Sequence, residues 1–314
     1  MKRPAAGPGM NDALAPAPVV VFCYKRPDHL ARTISSLVSN PEAAASHLTV
    51  FCDAAKSPAD AAAVDAVRRY VDSIEGFASV TRVYRQSNVG LANSIIDGVS
   101  RLLRSNERVI VLEDDLFLSP HFLDFMNQGL RCYQTDDRVA SIHGYCYPVQ
   151  EALPETFFMR GADCWGWATW ARAWAHFEPD GQFLLQQLRQ RKLLHDFDLD
   201  GSYPYSRMLR GQIAGRNDSW AIRWHASCYL RDMLTLYPGR SLVENIGNDA
   251  SGTHCAPTEM YSGGLGVRPV QLQRLPLEPS SVARSAFVRF FRGNRESLLR
   301  KAVRQVSMRL KELR

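Results

Sequence analysis

Short apolar runs alternate along the chain with longer segments in which apolar residues recur every three or four positions. Val19 to Cys23 is an unbroken apolar run after a Pro-rich arm and reads as a buried strand. The turn Tyr24-Lys25-Arg26-Pro27-Asp28 follows, and Asp28 is predicted to cap a helix whose Leu30, Ile34 and Leu37 share one face. Leu48 to Cys52 is a second strand ending in Asp53, and Pro58 opens an Ala-rich helix that runs to about Ile74. Val80 to Tyr84 is a third strand, after which Asn88-Val89-Gly90 turns into a helix from Leu91 to about Leu103. Val109 to Leu112 is a fourth strand, followed by a helix over Pro120 to Tyr133 and an apolar run at Val139 to His143. Strand and helix alternate, which predicts an α/β fold with a Rossmann-like, mostly parallel sheet flanked by helices.

Beyond His143 the pattern is less regular. Trp165, Trp167, Trp170 and Trp174 crowd together, and the last three stand at helical spacing, as expected for a helix packed on a core. Trp165 and Gly166 precede that helix, where a Trp beside a glycine can offer its face to a sugar ring. Gln182 to Leu194 and Tyr203 to Ile213 read as helices. Asn217-Asp218-Ser219-Trp220 leads into another over Ala221 to Leu230, with Asp218 in the N-cap position. Ser251 to Cys255 is a polar loop carrying His254. There is no internal repeat.

A hydrophobic fraction of 46% supports a sizeable core, and no run approaches the ~18 apolar residues of a spanning helix. Residues 1–17 are expected to form a disordered arm without the apolar centre of a signal peptide. Residues 18–270 form the main domain, in halves 18–145 and 146–270, and 271–314 a basic tail. Seven scattered cysteines with no CxxC pair suggest the reduced thiols of a cytosolic protein. From Ser280 onward there are ten basic residues and two acids, net +8, which leaves the rest of the chain at −2 within an overall +6. Nucleic acid is therefore not an expected partner. Phe287, Phe290, Phe291, Leu298, Leu299, Val303, Val306 and Leu310 make the tail amphipathic, with a break expected at Gly293-Asn294. Such a helix suits an anionic membrane surface or the face of a neighbouring subunit.

The candidate chemistry concentrates in Val109-Ile110-Val111-Leu112-Glu113-Asp114-Asp115. Three carboxylates at the end of a buried strand repel one another. A divalent cation or an Arg or Lys partner would satisfy them; a solvated acidic loop is the plain alternative. In open α/β sheets ligands bind beyond the carboxyl ends of the strands, and Arg26, Asp53 and the three acids all fall there. The chain has no GxGxxG or GxxxxGK[ST] loop to cradle phosphates. A metal on Asp115 would neutralise them instead, with His254 a further candidate ligand.

The strand entering Arg26-Pro27, Asp53 after the second strand, Asn88-x-Gly90-Leu91-x-Asn93 and the run ending in Glu113-Asp114-Asp115 resemble GT-A glycosyltransferases of the family 2 type. The Glu-Asp-Asp form, the Trp-rich segment, Asp218-x-Trp220 and the late loop with His254 look more like the inverting N-acetylglucosaminyltransferase I branch. The resemblance covers roughly residues 18–260. It implies a GT-A fold in which Arg26 and Asp53 contact the nucleoside and its phosphate, while Asn88, Gly90 and Asn93 line the donor site. Glu113 would face the donor sugar, Asp114 the ribose, and Asp115 would hold Mn²⁺ or Mg²⁺. Asp218 would be the catalytic base, His254 would ride on a loop closing over the donor, and Trp165, Trp167 and Trp220 would meet the acceptor. The implied reaction moves a sugar from a nucleotide-sugar, a UDP-sugar, to a glycan or lipid-linked acceptor, in the cytoplasm or at the inner membrane face. Sugar nucleotidyltransferases share the sheet and the acids but resemble a pattern with a Gly-rich turn after the first strand, where this chain has Tyr24-Lys25-Arg26-Pro27. A non-catalytic sugar- or membrane-binding module is the third reading.

Overall fold

The apolar runs assemble into one eight-stranded sheet in a computed structural model that describes residues 15–247 and 260–294. The first part of the chain supplies β1 (Val19–Cys23), α1 (Pro27–Val38), β2 (His47–Cys52), α2 (Ala61–Asp72), β3 (Ser79–Tyr84), α3 (Leu91–Leu103), β4 (Arg108–Glu113), β5 (Leu116–Leu118) and α4 (Phe122–Cys132). The second supplies β6 (Val139–His143), β7 (Thr156–Arg160), β8 (Trp167–Trp170), α5 (Ala171–Trp174), α6 (Gly181–Gln190), α7 (Leu194–Phe197), α8 (Tyr205–Ile213), α9 (Trp220–Leu230), β9 (Leu234–Pro238) and β10 (Val243–Asn245). A last helix, α10, runs over 281–294.

The sheet order is β3-β2-β1-β4-β8-β6-β9-β7, and β5 pairs with β10 separately. Strands β3, β2, β1, β4, β6 and β9 run one way; β8 and β7 run against them. This is the mostly parallel, Rossmann-like α/β architecture that the alternation of elements predicts. β1 is buried along its whole length, as is β4 from Val109 to Leu112, because helices cover both faces. α3 packs against β1 so closely that a Cβ on Gly98 would strike the Phe22 ring, which is stacked on Phe51. The adjacent thiols of Cys23 and Cys52, in register on β1 and β2, are free.

Four local expectations are corrected. Trp167 and Trp170 lie on strand β8, not on a helix. A spacing of three puts them on opposite faces of a sheet. Trp167 packs towards α9 against Trp220 and Trp224, while Trp170 turns the other way and donates its indole N–H to Leu130 O. Both are buried, so the expected core role holds though the element does not. At α1, Arg26 and not Asp28 holds the N-cap position, since Pro27 takes the first helical place and bars the residue before it from the helix. At α9 the cap is Ser219, whose Oγ accepts from Ile222 N; Asp218 does not cap.

The fourth correction concerns the tail. Residues 281–294 form a continuous helix through the expected break. Phe287 and Phe291 are buried in a cluster with Phe157, Met159 and Tyr237, so this part of the apolar face is committed to the chain's own sheet. Pro279 bridges to Phe158 and Ser280 N donates to Phe158 O, which lays the approach to α10 along the outer side of β7. At the far side of the sheet, Arg82 on β3 folds its guanidinium back onto Val71 O, Asp72 O and Ile74 O. Tail positions Leu298 to Leu310, and His254, lie outside the described residues. Among the described residues no helix is long and apolar enough to cross a membrane.

Because Phe287 is packed into the protein, Phe287→Ala should lower stability by about 3 kcal/mol in urea unfolding. A tail lying on the surface would lose less than ~0.5 kcal/mol on the same substitution.

Candidate functional site

The parallel strands deliver their carboxyl ends to one edge, and the polar residues expected there do gather. β1 hands over to Tyr24 and Arg26, β2 to Asp53, and β4 to Glu113, Asp114 and Asp115. Arg26 Nη2 lies 2.6 Å from Asp114 Oδ1 and 2.8 Å from Asp115 Oδ2, so one nitrogen serves two carboxylates. Tyr24 N donates to the second oxygen of Asp114 at 3.3 Å, and Thr33 Oγ1 donates to Asp114 O at 2.8 Å. Asp114 is buried; the Asp115 side chain is 15% exposed.

The charge at this edge is unbalanced. Three carboxyl groups meet one guanidinium among the described residues. Burial, with Asp115 and Asp114 beside it, pushes Glu113 up to about 8. Burial also raises Asp114, against the pull of Arg26. Burial alone would lower the Arg26 guanidinium, but Asp114 and Asp115 raise it above its usual value.

Could these residues hold a divalent cation? Hard carboxylate oxygens are the right donors for Mn²⁺ or Mg²⁺. Among the described residues, however, no three His, Cys, Asp or Glu side chains form a ready-made cage. Mg²⁺ is commonly bound by one or two carboxylates together with substrate phosphates, and Asp115 beside Asp114 fits that partial donor set. The backbone comes close here as well: Ile246 N donates to Asp115 O, and a Cβ at Gly247 would collide with Asp115 Oδ2. Gly247 therefore lets the chain after β10 lie against the acid.

Asp53 is placed differently from expectation. It is buried, and its carboxylate accepts from Ala54 N at 2.9 Å, Val89 N at 3.0 Å and Gly90 N at 2.9 Å. With both oxygens taken by amides, it holds the 88–90 loop in place and does not itself reach for a nucleoside. Gly90 has φ 78°, a left-handed conformation that glycine adopts without strain, and it opens α3. Asn88 donates to Ala54 O at 2.8 Å and tightens the same loop. Asn93 is exposed one helical turn on and donates to Val89 O.

Trp167 and Trp220 stack on one another with centroids 5.3 Å apart and are buried, so neither ring has a face for an acceptor. Trp165 is half-buried, with its ring edge-on to Tyr145 at 4.7 Å and to Tyr261 at 5.5 Å. Asp218 is exposed, its carboxylate 3.6 Å from Arg223 Nη2. Because Trp220 stacks on Trp167, and Trp167 pairs with Val111, the start of α9 lies towards the edge that carries the acids.

One group of residues was missed in the sequence. Asp163 Oδ2 accepts from Tyr147 Oη at 3.1 Å and Tyr237 Oη at 3.2 Å, and its Oδ1 accepts from Cys164 N at 2.8 Å. Buried His143 accepts the backbone N–H of Trp165 on Nε2 at 3.1 Å. The alternation His143, Tyr145, Tyr147 and the Asp just before the Trp-rich run were the available signals. Tyr237 and Tyr261 join from distant segments that carry no local pattern.

Burial holds His143 below its ordinary 6.5, against the opposing pull of Asp163. The unfolded chain therefore takes up a proton first as pH falls, and the stabilisation present above 6.5 is lost towards the lower folded value. Urea unfolding at pH 7.5 and 5.5 should show lower stability at the acid value, with a smaller difference in His143→Gln. Tryptophan emission should change over the same range as Trp165 loses its backbone anchor.

No family model matches the chain, and no curated protein matches it by sequence. Solved structures with a similar arrangement include the mannosyltransferase PcManGT from Pyrobaculum calidifontis in complex with GDP-Man and Mn²⁺. It is 16% identical over 43% of this chain and 37% of its own length, with a TM-score of 0.34. They also include 4-diphosphocytidyl-2C-methyl-D-erythritol synthase from Anaerococcus prevotii, 11% identical over 51% of this chain and 73% of its own, with a TM-score of 0.33. The chain thus matches little more than a third of the length of the mannosyltransferase.

Proposed function

We propose that this protein is an inverting, metal-dependent glycosyltransferase that moves a sugar from a nucleotide-sugar, a UDP-sugar, to a hydroxyl of a glycan or lipid-linked acceptor. The observation that carries the reading is the convergence of Arg26, Asp114 and Asp115 at the carboxyl edge of adjacent parallel strands. That edge is where α/β sheets bind nucleotides.

In this reading the amide-anchored 88–90 loop and Asp114 flank the nucleoside, and Glu113 faces the donor sugar. The acceptor oxygen attacks the anomeric carbon as the bond to the diphosphate breaks, through an oxocarbenium-like state. Asp218, exposed at the start of α9, takes the proton from the attacking hydroxyl, and Trp165 with Tyr145 offers a wall for the acceptor ring. The departing diphosphate gathers negative charge, which the Arg26 guanidinium can meet with paired N–H donors. A divalent cation on Asp115, when bound, supplies Lewis-acid stabilisation of the same charge.

Two substitutions separate the parts. Asp115→Ala should abolish Mn²⁺-dependent binding of nucleoside diphosphate in titration calorimetry; unchanged binding removes Asp115 from the metal site. Asp218→Asn should keep donor binding and lose about 10²- to 10⁴-fold in turnover, and a fully active variant overturns the base assignment. Release of pyrophosphate in place of nucleoside diphosphate would assign nucleotidyl transfer instead.

A further inference from the structure

We infer that Arg26 is an exchangeable counter-ion: it holds the place between Asp114 and Asp115 until donor and cation arrive, then crosses to the donor's diphosphate. The inference rests on the nucleotide-sugar reading above and deepens it, because it says how the two ligands are coupled.

The geometry sets the conflict. A single guanidinium nitrogen lies 2.6 Å from one carboxylate and 2.8 Å from the next. That is the bridging position a hard cation would take between two acids. Two positive centres cannot share it, since their repulsion in a partly desolvated crevice is far stronger than in water. Either the arginine stays and the cation is kept out, or the arginine leaves.

Arg26 is built to leave. It stands outside α1, with φ −118° and ψ 76°, and Pro27 fixes the backbone beyond it. The exchange therefore needs only side-chain rotation, and the side chain is 20% exposed. Its destination is chemically matched, because the planar fork of a guanidinium pairs with phosphate oxygens at two points. The neighbouring Lys25 is no substitute, since its ammonium is held by Asp60 at 2.7 Å. Among the described residues Arg26 is the cationic group paired with these acids.

Such an exchange has a thermodynamic signature. Diphosphate draws the arginine away and opens the carboxylates to metal; metal frees the arginine for diphosphate. Each ligand then strengthens the other by the same factor.

The test is titration of Mn²⁺ into the full chain, followed by the loss of the free-ion paramagnetic resonance signal. Wild type, Arg26→Gln and Arg26→Lys are compared with and without UDP. Without UDP, Arg26→Gln should bind Mn²⁺ at least tenfold more tightly than wild type, and Arg26→Lys should stay near wild type because it keeps the charge. With UDP, wild type should gain at least tenfold in Mn²⁺ affinity and Arg26→Gln clearly less. Equal or weaker Mn²⁺ binding by Arg26→Gln without UDP overturns the inference, and so does a Lys variant as tight as Gln. If UDP and Mn²⁺ still bind wild type together in that case, the exchange alone fails and the donor site stands. If wild type binds neither, the donor-site reading fails and takes the exchange with it. Thermal unfolding gives a readout that survives a weakened variant: Mn²⁺ alone should raise the midpoint of Arg26→Gln by several degrees more than that of wild type, and equal shifts overturn the inference.

Discussion

The crevice depends on a single electrostatic arrangement, three acids at the end of β4 facing one guanidinium from the end of β1. The acids have little freedom, because β4 is buried and paired with β1 on one side and β8 on the other. Left alone they would repel each other in a desolvated setting. Arg26 can reach them only because β1 lies beside β4 and because Pro27 starts α1 at once, leaving Arg26 at the lip of the sheet. Strand order, helix start and charge balance are therefore one constraint seen at three scales. Thr33, on the second turn of α1, adds a bond to Asp114 O and ties the helix to the acids it neutralises.

The two sides of the crevice are made differently. The donor side consists of strand ends and one amide-anchored loop, in which Asp53 replaces the glycine-rich phosphate cradle of other nucleotide folds with a buried acceptor for two loop amides. The other side is aromatic and assembled from four distant stretches, with His143, Tyr145, Trp165 and Tyr261 in mutual contact. Behind it, α9 is buried on all faces from Ile222 to Leu230 and lies between the Trp167 side of the sheet and the layer of α6 and α8. A helix apolar all round belongs in such a place.

The sheet and its acidic edge were legible in the sequence because their signals are local. Unbroken apolar runs such as Val19 to Cys23 cannot sit at a surface, and helical spacing at Leu30, Ile34 and Leu37 fixes a face. The Trp-rich segment misled because a step of three suits one face of a helix and both faces of a strand. Asp218 beside Ser219 offered two adjacent cap residues, and the shorter hydroxyl took the cap. Asp163 was hidden for another reason: the hydroxyls that orient it come from Tyr147 and Tyr237, which the chain brings together only after the sheet has closed.

The borders of the sheet carry a last consequence. β3 and β7 are its outermost strands, and an open border offers unpaired N–H and C=O groups to any other extended chain. On β3 the charged Arg82 discourages such pairing. On β7 the stretch from Pro279 to Ser280 already occupies Phe158 from outside. The segment leading into α10 thus works as a selvedge as well as a tether. A chain cut before Pro279 would be left with a raw strand on which copies could add to one another.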